Sequence, residues 1–129
     1  MKIGVVSKQE IPYELFENLI VTALEGGSNY WAMLDVERSE KGFSKYQNQP
    51  LSVAIANMIW YDSYTLRVMD CEEDDVLLGE VNMLKVKDAF QKLASERADV
   101  YSRIIQDEWD ADDSDIFFQF CTMGSQEFA

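Results

Sequence analysis

The segment over residues 11–34, "IPYELFENLIVTALEGGSNYWAML", constrains the fold more than any other part of the chain. Its apolar residues recur at spacings of three and four, which is typical of an amphipathic helix with one buried stripe. Pro12 suits the first turn of such a helix, and Gly26 or Gly27 suits a left-handed residue just beyond its end. The pattern therefore predicts a helix over residues 12–25, after which the chain reverses.

Two large aromatic residues follow that reversal directly. The stretch "NYWAMLDVE" predicts a strand, in which Tyr30 and Trp31 would point to opposite faces of a sheet. We expect one of them to pack the helix against the sheet and the other to be offered to a partner.

The remaining elements are predicted from local patterns. We expect strands over residues 2–6, 63–70 and 76–84, with Gly79 at a bulge or turn, and a loop over the polar residues 38–50. Residues 51–61 fit a helix or a buried strand, because periodicity does not separate the two in a short apolar run.

The last third of the chain has helical spacing. Ser95 is expected to cap a second helix there, and a final helix is expected to start at Asp112 or Ser114. At 129 residues the chain predicts one domain. Its fold class is α+β, with the first helix packed on a mainly antiparallel sheet and helices grouped C-terminally.

The charge of the chain narrows the classes of partner. Twenty-four acidic residues against eleven basic ones, with no histidine, give a formal net charge of −13. Such a surface repels nucleic acid and anionic membranes, which both attract cationic proteins. It favours a host protein with a cationic surface, although excess acid also serves solubility alone. The oligomeric state stays open between a monomer and a homodimer.

The residue content argues against several kinds of catalysis. Without histidine the chain lacks the commonest general base and the Ser-His and Cys-His nucleophile systems, and most catalytic zinc sites are excluded. No nucleotide-binding glycine motif occurs. We therefore expect no self-sufficient enzyme, no metal and no cofactor. Cys71 and Cys121 have no metal-ligand spacing and predict free thiols in a reducing cytoplasm.

Two acidic clusters are the candidate partner-binding residues. The first contains Asp107, Glu108, Asp110, Asp112, Asp113 and Asp115, and the second contains Asp70, Glu72, Glu73, Asp74 and Asp75. A calcium loop begun at Asp110 fails where glycine and glutamate are needed, so an EF-hand is excluded. The first cluster fits a solvated helix start and a partner contact equally well. Neutralising Asp107, Asp110, Asp112 and Asp113 is expected to leave folding largely intact.

Two functions from different classes follow. In the first, the chain is an acidic inhibitor that mimics nucleic acid and occupies the cationic surface of a host enzyme. In the second, it is a non-catalytic binder that sequesters a nucleotide signal. The residues expected to hold the phosphates and base of that nucleotide are Trp31, Arg38, Lys41, Lys45, Trp60 and Arg67.

Two segments resemble a family of small, mostly uncharacterised bacteriophage and prophage proteins. The segment "ALEGGSNYW" (residues 23–31) resembles their N-terminal signature, a helix ending in Leu-Glu-Gly-Gly before an Asn-Tyr-Trp strand. The segment "EWDADDSDIFFQFCTMG" (residues 108–124) resembles their C-terminal helix with its acidic start and closing glycine. The resemblance implies a mobile-element origin and an intracellular setting, and no reaction. By analogy with origin, size and charge, it points to inhibition of host defence, such as restriction or CRISPR enzymes.

Overall fold

The computed structural model describes residues 11–36 and 41–128, with side chains from residue 43 onward in the second range. The strand predicted over residues 2–6, Arg38 and the side chain of Lys41 lie outside these described residues.

The described residues form five α-helices and a three-stranded antiparallel sheet in the order β1-β2-β3. This arrangement confirms the predicted α+β class. In chain order the elements are α1 (Tyr13–Thr22), a π-helical turn (Ala23–Gly27), β1 (Ala32–Asp35), a 3-10 helix (Lys41–Tyr46), α2 (Leu51–Tyr61), β2 (Leu66–Asp70), β3 (Leu77–Val81), α3 (Met83–Glu96), α4 (Ala98–Ile105) and α5 (Ala111–Met123).

Helix α5 is the central element of the core. It contacts α1, α3, α4, the π-helical turn and β3. Phe117 and Phe118 of α5 are fully buried, as are Phe16 and Leu19 on the apolar stripe of α1. Burial of one such side chain contributes about 1.5–3 kcal/mol to folding. The predicted amphipathic helix is therefore confirmed, and its stripe faces the core.

The end of α1 differs from the prediction. Neither Gly26 nor Gly27 is left-handed. Gly26 has φ 176, which is extended backbone, and Gly124, which ends α5 with φ 77, is the only glycine in the left-handed region among the described residues. Instead, the helix widens into the π-helical turn, and the Ser28 N–H donates to the Ala23 carbonyl over 2.9 Å. The expectation of a left-handed glycine cap at this end was wrong.

Three other local expectations are corrected or resolved. Residues 41–46 form a 3-10 helix rather than a loop, because Phe43 and Tyr46, three residues apart, both reach the core. Residues 51–61 are helical. Ser95 lies inside α3, where its hydroxyl donates to the Lys92 carbonyl, and so caps nothing.

The sheet has one face on the core and one face away from it. Leu34, Val68 and Val81 belong to the core side, whereas Asp35, Arg67 and Glu80 form a cross-strand row on the other side. The pairing shifts between Val68 and Met69, which confirms an irregularity beside Gly79. At Gly79, a Cβ atom would lie 2.0 Å from the Thr122 carbonyl oxygen, so α5 crosses the sheet at a position where only glycine fits.

Replacement of Gly79 by alanine is expected to lower the free energy of unfolding by about 1–3 kcal/mol, because the added Cβ forces the backbone of β3 and α5 apart. Urea unfolding measures the change. The control is Glu80→Ala at the neighbouring position. It removes only an exposed ion pair with Arg67, whose charged atoms lie 3.9 Å from those of Glu80, so the free energy of unfolding should change little. Equal stability of the two variants would contradict the close approach.

Candidate functional site

The turn that follows α1 and the first turns of α5 meet at the carboxyl group of Asp115. Its Oδ1 accepts hydrogen bonds from the Ser28 hydroxyl over 2.8 Å and from the Trp31 indole N–H over 2.7 Å. Its Oδ2 accepts from the Tyr30 hydroxyl over 2.5 Å and from the Gln119 amide over 3.1 Å. Asp115 is 7% exposed, so these four donors replace the water it has lost. The two segments that carry the family resemblance therefore form one site.

Backbone geometry holds the turn in place beside α5. The N–H groups of Trp31 and Ala32 both donate to the Ser28 carbonyl, which tightens the chain after the π-helical turn. A Cβ at Gly27 would lie 3.2 Å from the Ala111 carbonyl oxygen. The contribution of Gly27 is thus a close approach to the start of α5.

The start of α5 is fixed by a second buried carboxylate. Asp110 and Asp113 form a reciprocal capping box at the N-terminus of the helix. Arg103 of α4 binds Asp113 through two parallel bonds of 2.8 Å each. The Arg103 guanidinium lowers the pKa of Asp113, and the Asp113 carboxylate raises the pKa of Arg103. Because the Asp113 side chain is 3% exposed, this pair ties α4 to α5.

The C-terminal residues close the site from another side. Gln119 is fully buried; its carbonyl accepts the N–H groups of Glu127 and Phe128, and its amide donates to the Phe128 carbonyl. The Phe128 ring stacks on Trp31, with centroids 5.4 Å apart and an interplanar angle of 12°. Trp31 therefore has its edge bound to Asp115 and a face covered by Phe128.

Tyr30 lies between the two acidic segments. Partial burial, followed by its bond to Asp115, raises the pKa of Tyr30 to about 12, and the nearby charge of Asp112 acts in the same direction. On the other side, the Cys71 thiol and the Tyr30 carbonyl are 3.1 Å apart. Glu72 lines the same shallow groove as Tyr30, Trp31 and Phe128. Tyr30 is 47% exposed and is close to one acid of each cluster, Asp112 and Glu72.

The structure separates the predicted partner-binding acids into two groups. Asp113 and Asp115 are buried and serve the fold, so their assignment as partner contacts was wrong; burial of an acid requires internal partners, which they have. The expectation that neutralising Asp107, Asp110, Asp112 and Asp113 leaves folding largely intact does not suit Asp110 and Asp113, since these two form the capping box of α5. The exposed acids are Glu72, Glu73, Asp74, Asp75, Asp107, Glu108, Asp110 and Asp112.

None of these exposed acids forms an ion pair within the described part of the chain. Every ion pair found there involves another acid, such as Asp62 with Lys45 or Asp35 with Arg67. Asp110 alone among them is close enough to a cation, Arg103, to raise its pKa. No cluster of three or more potential metal ligands occurs among the described residues.

Four of the residues predicted to bind a nucleotide have described side chains, and these four have separate partners instead of a shared pocket. Trp31 is 2% exposed and Trp60 packs against Phe16, with ring centroids 5.0 Å apart. Lys45 pairs with Asp62 over 2.8 Å, and Arg67 pairs with Asp35 over 3.0 Å. Trp31 is buried and Tyr30 is exposed, as expected, but the expected cause was wrong. Both residues lie in the turn before β1 instead of on opposite faces of a strand, and both side chains bind Asp115.

Ser28, Arg103 and Gln119 are site residues that the sequence analysis did not single out. Two signals were present. The spacing of Asp110 and Asp113 before an apolar run is that of a capping box, and Asp115 and Gln119 lie four residues apart on one helix face. Nothing local in the sequence marks Arg103 as the partner of Asp113.

No family model, curated protein or solved structure matches this chain. The resemblance to phage proteins thus stays a prediction. Within residues 11–36 and 41–128, no helix has the length and apolarity needed to cross a bilayer.

Replacement of Asp115 by alanine is expected to lower the free energy of unfolding by about 3–5 kcal/mol, since it leaves several buried donors without an acceptor. Chemical denaturation monitored by tryptophan fluorescence measures this loss. Asp112→Ala, three residues earlier on the same helix and exposed, should change stability by no more than about 0.5 kcal/mol. A small effect at Asp115 would show that its hydrogen bonds do not hold the site together.

The Arg103–Asp113 pair predicts a specific pH dependence. A folded-state pKa below the ordinary value means that stability from this carboxylate is present above about pH 4 and is lost as the pH falls through the folded pKa. Wild type should exceed Asp113→Asn by about 2 kcal/mol at pH 7, with the gap narrowing toward pH 2. Urea titrations across this range measure the gap, and a gap independent of pH would contradict the assignment.

Proposed function

We propose that the protein is an acidic, non-catalytic inhibitor that binds the cationic, nucleic-acid-binding surface of a host enzyme, in the manner of a nucleic-acid mimic. The observation that carries the proposal is the set of exposed acids that form no ion pair, two of which, Asp112 and Glu72, lie close to the half-exposed Tyr30. Uncompensated carboxylates at an exposed surface steer a cationic partner and complement its potential.

The aromatic residue between the acids supports a protein partner. Tyr30 is rigidly held by its bond to Asp115, yet 47% of it remains exposed. Tyrosines of this kind supply large contact area at a small loss of conformational entropy and often dominate binding energy. We infer that Tyr30 is the central contact and that the acids around it set the approach and the register.

The nucleotide-binding alternative has no comparable support. Its four residues with described side chains are already engaged with core aromatics, acids or Asp115, as given above. An anionic ligand would also approach against the negative field of the chain. The phage origin, the cytoplasmic location in a host cell and the absence of catalysis belong to the same proposal as the inhibitor role.

Capture of a partner from host lysate is expected to fall steeply between low and high salt, because exposed interfacial charges are screened. Duplex nucleic acid added to the captured complex should release the partner, since both compete for one cationic surface. Quantitative pull-down with mass spectrometry measures both effects. A partner retained at high salt and in the presence of excess duplex would contradict the mimic.

Paired charge variants locate the contact. Two double variants remove charge from one acidic cluster each: Glu72→Gln with Glu73→Gln, and Glu108→Gln with Asp112→Asn. Each should slow association more than it speeds dissociation, since peripheral charges act mainly through steering. The matched control, Asp88→Asn with Glu96→Gln, removes the same charge from α3 and should leave association within about twofold. Surface plasmon resonance on the captured partner separates the two rates. Equal slowing by all three variants would mean that net charge alone acts.

A further inference from the structure

The sheet face that points away from the helices carries an apolar row outside the core. Met33 on β1 pairs with Met69 on β2, and Met69 pairs with Leu77 on β3. Met33 and Leu77 are 47% and 43% exposed, whereas Met69 between them is 9% exposed; none of the three belongs to the main hydrophobic cluster. Since alternate strand residues point to opposite faces, this row lies beside that of Asp35, Arg67 and Glu80.

Carboxylates border this apolar row. A groove of about 340 Å³ is lined by Met33, Leu34, Met69, Asp35, Asp74 and Asp75, with no cation among them. Arg67, on the same sheet face, lies 3.0 Å from Asp35 and 3.9 Å from Glu80. The groove thus combines apolar side chains with a negative rim.

The lining of the groove and the net charge of the chain disfavour three other classes of ligand. The rim repels anions such as nucleotides. The apolar floor supplies no oxygen ligands for a cation, and no potential metal cluster occurs among the described residues. A second copy of a chain with net charge −13 would bring one acidic rim against another.

We propose that this groove, with Met33 and Met69 as its floor and Asp74 and Asp75 as its rim, binds a basic amphipathic segment of the partner protein. Such a segment presents apolar side chains to the methionines and lysines or arginines to the carboxylates, so both parts of the surface are complemented. Methionine suits the task because its flexible thioether adapts to varied apolar shapes. The inference rests on the proposed function, since it names what part of the cationic partner is recognised.

The test uses a 14-residue amphipathic helical peptide of leucine and lysine, with a scrambled peptide of the same composition as its charge-matched control. Wild-type protein is expected to bind the amphipathic peptide at least tenfold more tightly than the scrambled one in a calorimetric titration. Met33→Gln should weaken binding of the amphipathic peptide at least fivefold and leave the scrambled peptide unaffected. Leu84→Gln is the control variant. It makes the same kind of apolar-to-amide change at a residue that is 76% exposed on α3, and it should bind the amphipathic peptide like wild type.

Methyl spectra of the wild-type protein provide a readout that does not depend on variants. The methyl signals of Met33 and Met69 are expected to shift with the amphipathic peptide, whereas those of Met58, Met83 and Met123 stay in place. Asp74→Asn with Asp75→Asn should reduce the salt dependence of binding. Shifts at the other methionines only would overturn the assignment.

The outcomes separate this inference from the proposed function. Equal binding of both peptides, or unchanged binding by Met33→Gln, would overturn the groove while salt-sensitive partner capture stood. Self-association of the wild type that Met33→Gln abolishes, without peptide binding, would assign the face to a second copy and overturn the inference. Loss of salt-sensitive capture together with binding of neither peptide would remove both.

Discussion

The carboxyl group of Asp115 holds the turn after α1 against α5, and the rest of the structure depends on this contact. Its bonds to Ser28, Tyr30 and Trp31 span sequence separations of 87, 85 and 84 residues, so they close a loop of about two thirds of the 129-residue chain. Ordering so distant a contact costs loop entropy, and a set of hydrogen bonds made in a buried site offsets it. The same contact fixes the orientation of Tyr30, which connects the core to the exposed acidic surface.

Burial divides the acidic run at the start of α5 into two kinds of carboxylate. Asp113 and Asp115 face the core side and meet Arg103 and the turn after α1, whereas Glu108 and Asp112 remain in water. A buried acid without hydrogen-bonding or ionic partners would destabilise the fold. An exposed acid that had a cationic partner would add no net charge to the surface. The surface charge available to a partner is therefore smaller than the sequence count suggests, and Asp112 and Glu72 bring part of it close to Tyr30.

Sequence patterns predicted the features that depend on local periodicity. The stripe of α1 and the antiparallel strands after residue 63 follow from spacing alone. Wrong predictions arose where a distant contact decided the outcome. The 3-10 helix exists because Phe43 and Tyr46 reach the core, and Gly27 serves a close approach to Ala111 instead of a left-handed cap. Asp113 and Asp115 lie in a run of acids that locally predicts exposure. They are buried because tertiary packing brings them partners that no local pattern indicates.

The most direct test concerns the claim that the two acidic segments flank Tyr30. Cys71 is exposed, whereas Cys121 is buried and burial raises the pKa of its thiol, so a nitroxide reagent should modify Cys71 alone. Paramagnetic relaxation enhancement then reports which backbone amides lie close to residue 71. The account predicts strong broadening at Tyr30 and at residues 112–115, despite their separation in sequence. Signals at residues 112–115 as sharp as those with a diamagnetic label would contradict it.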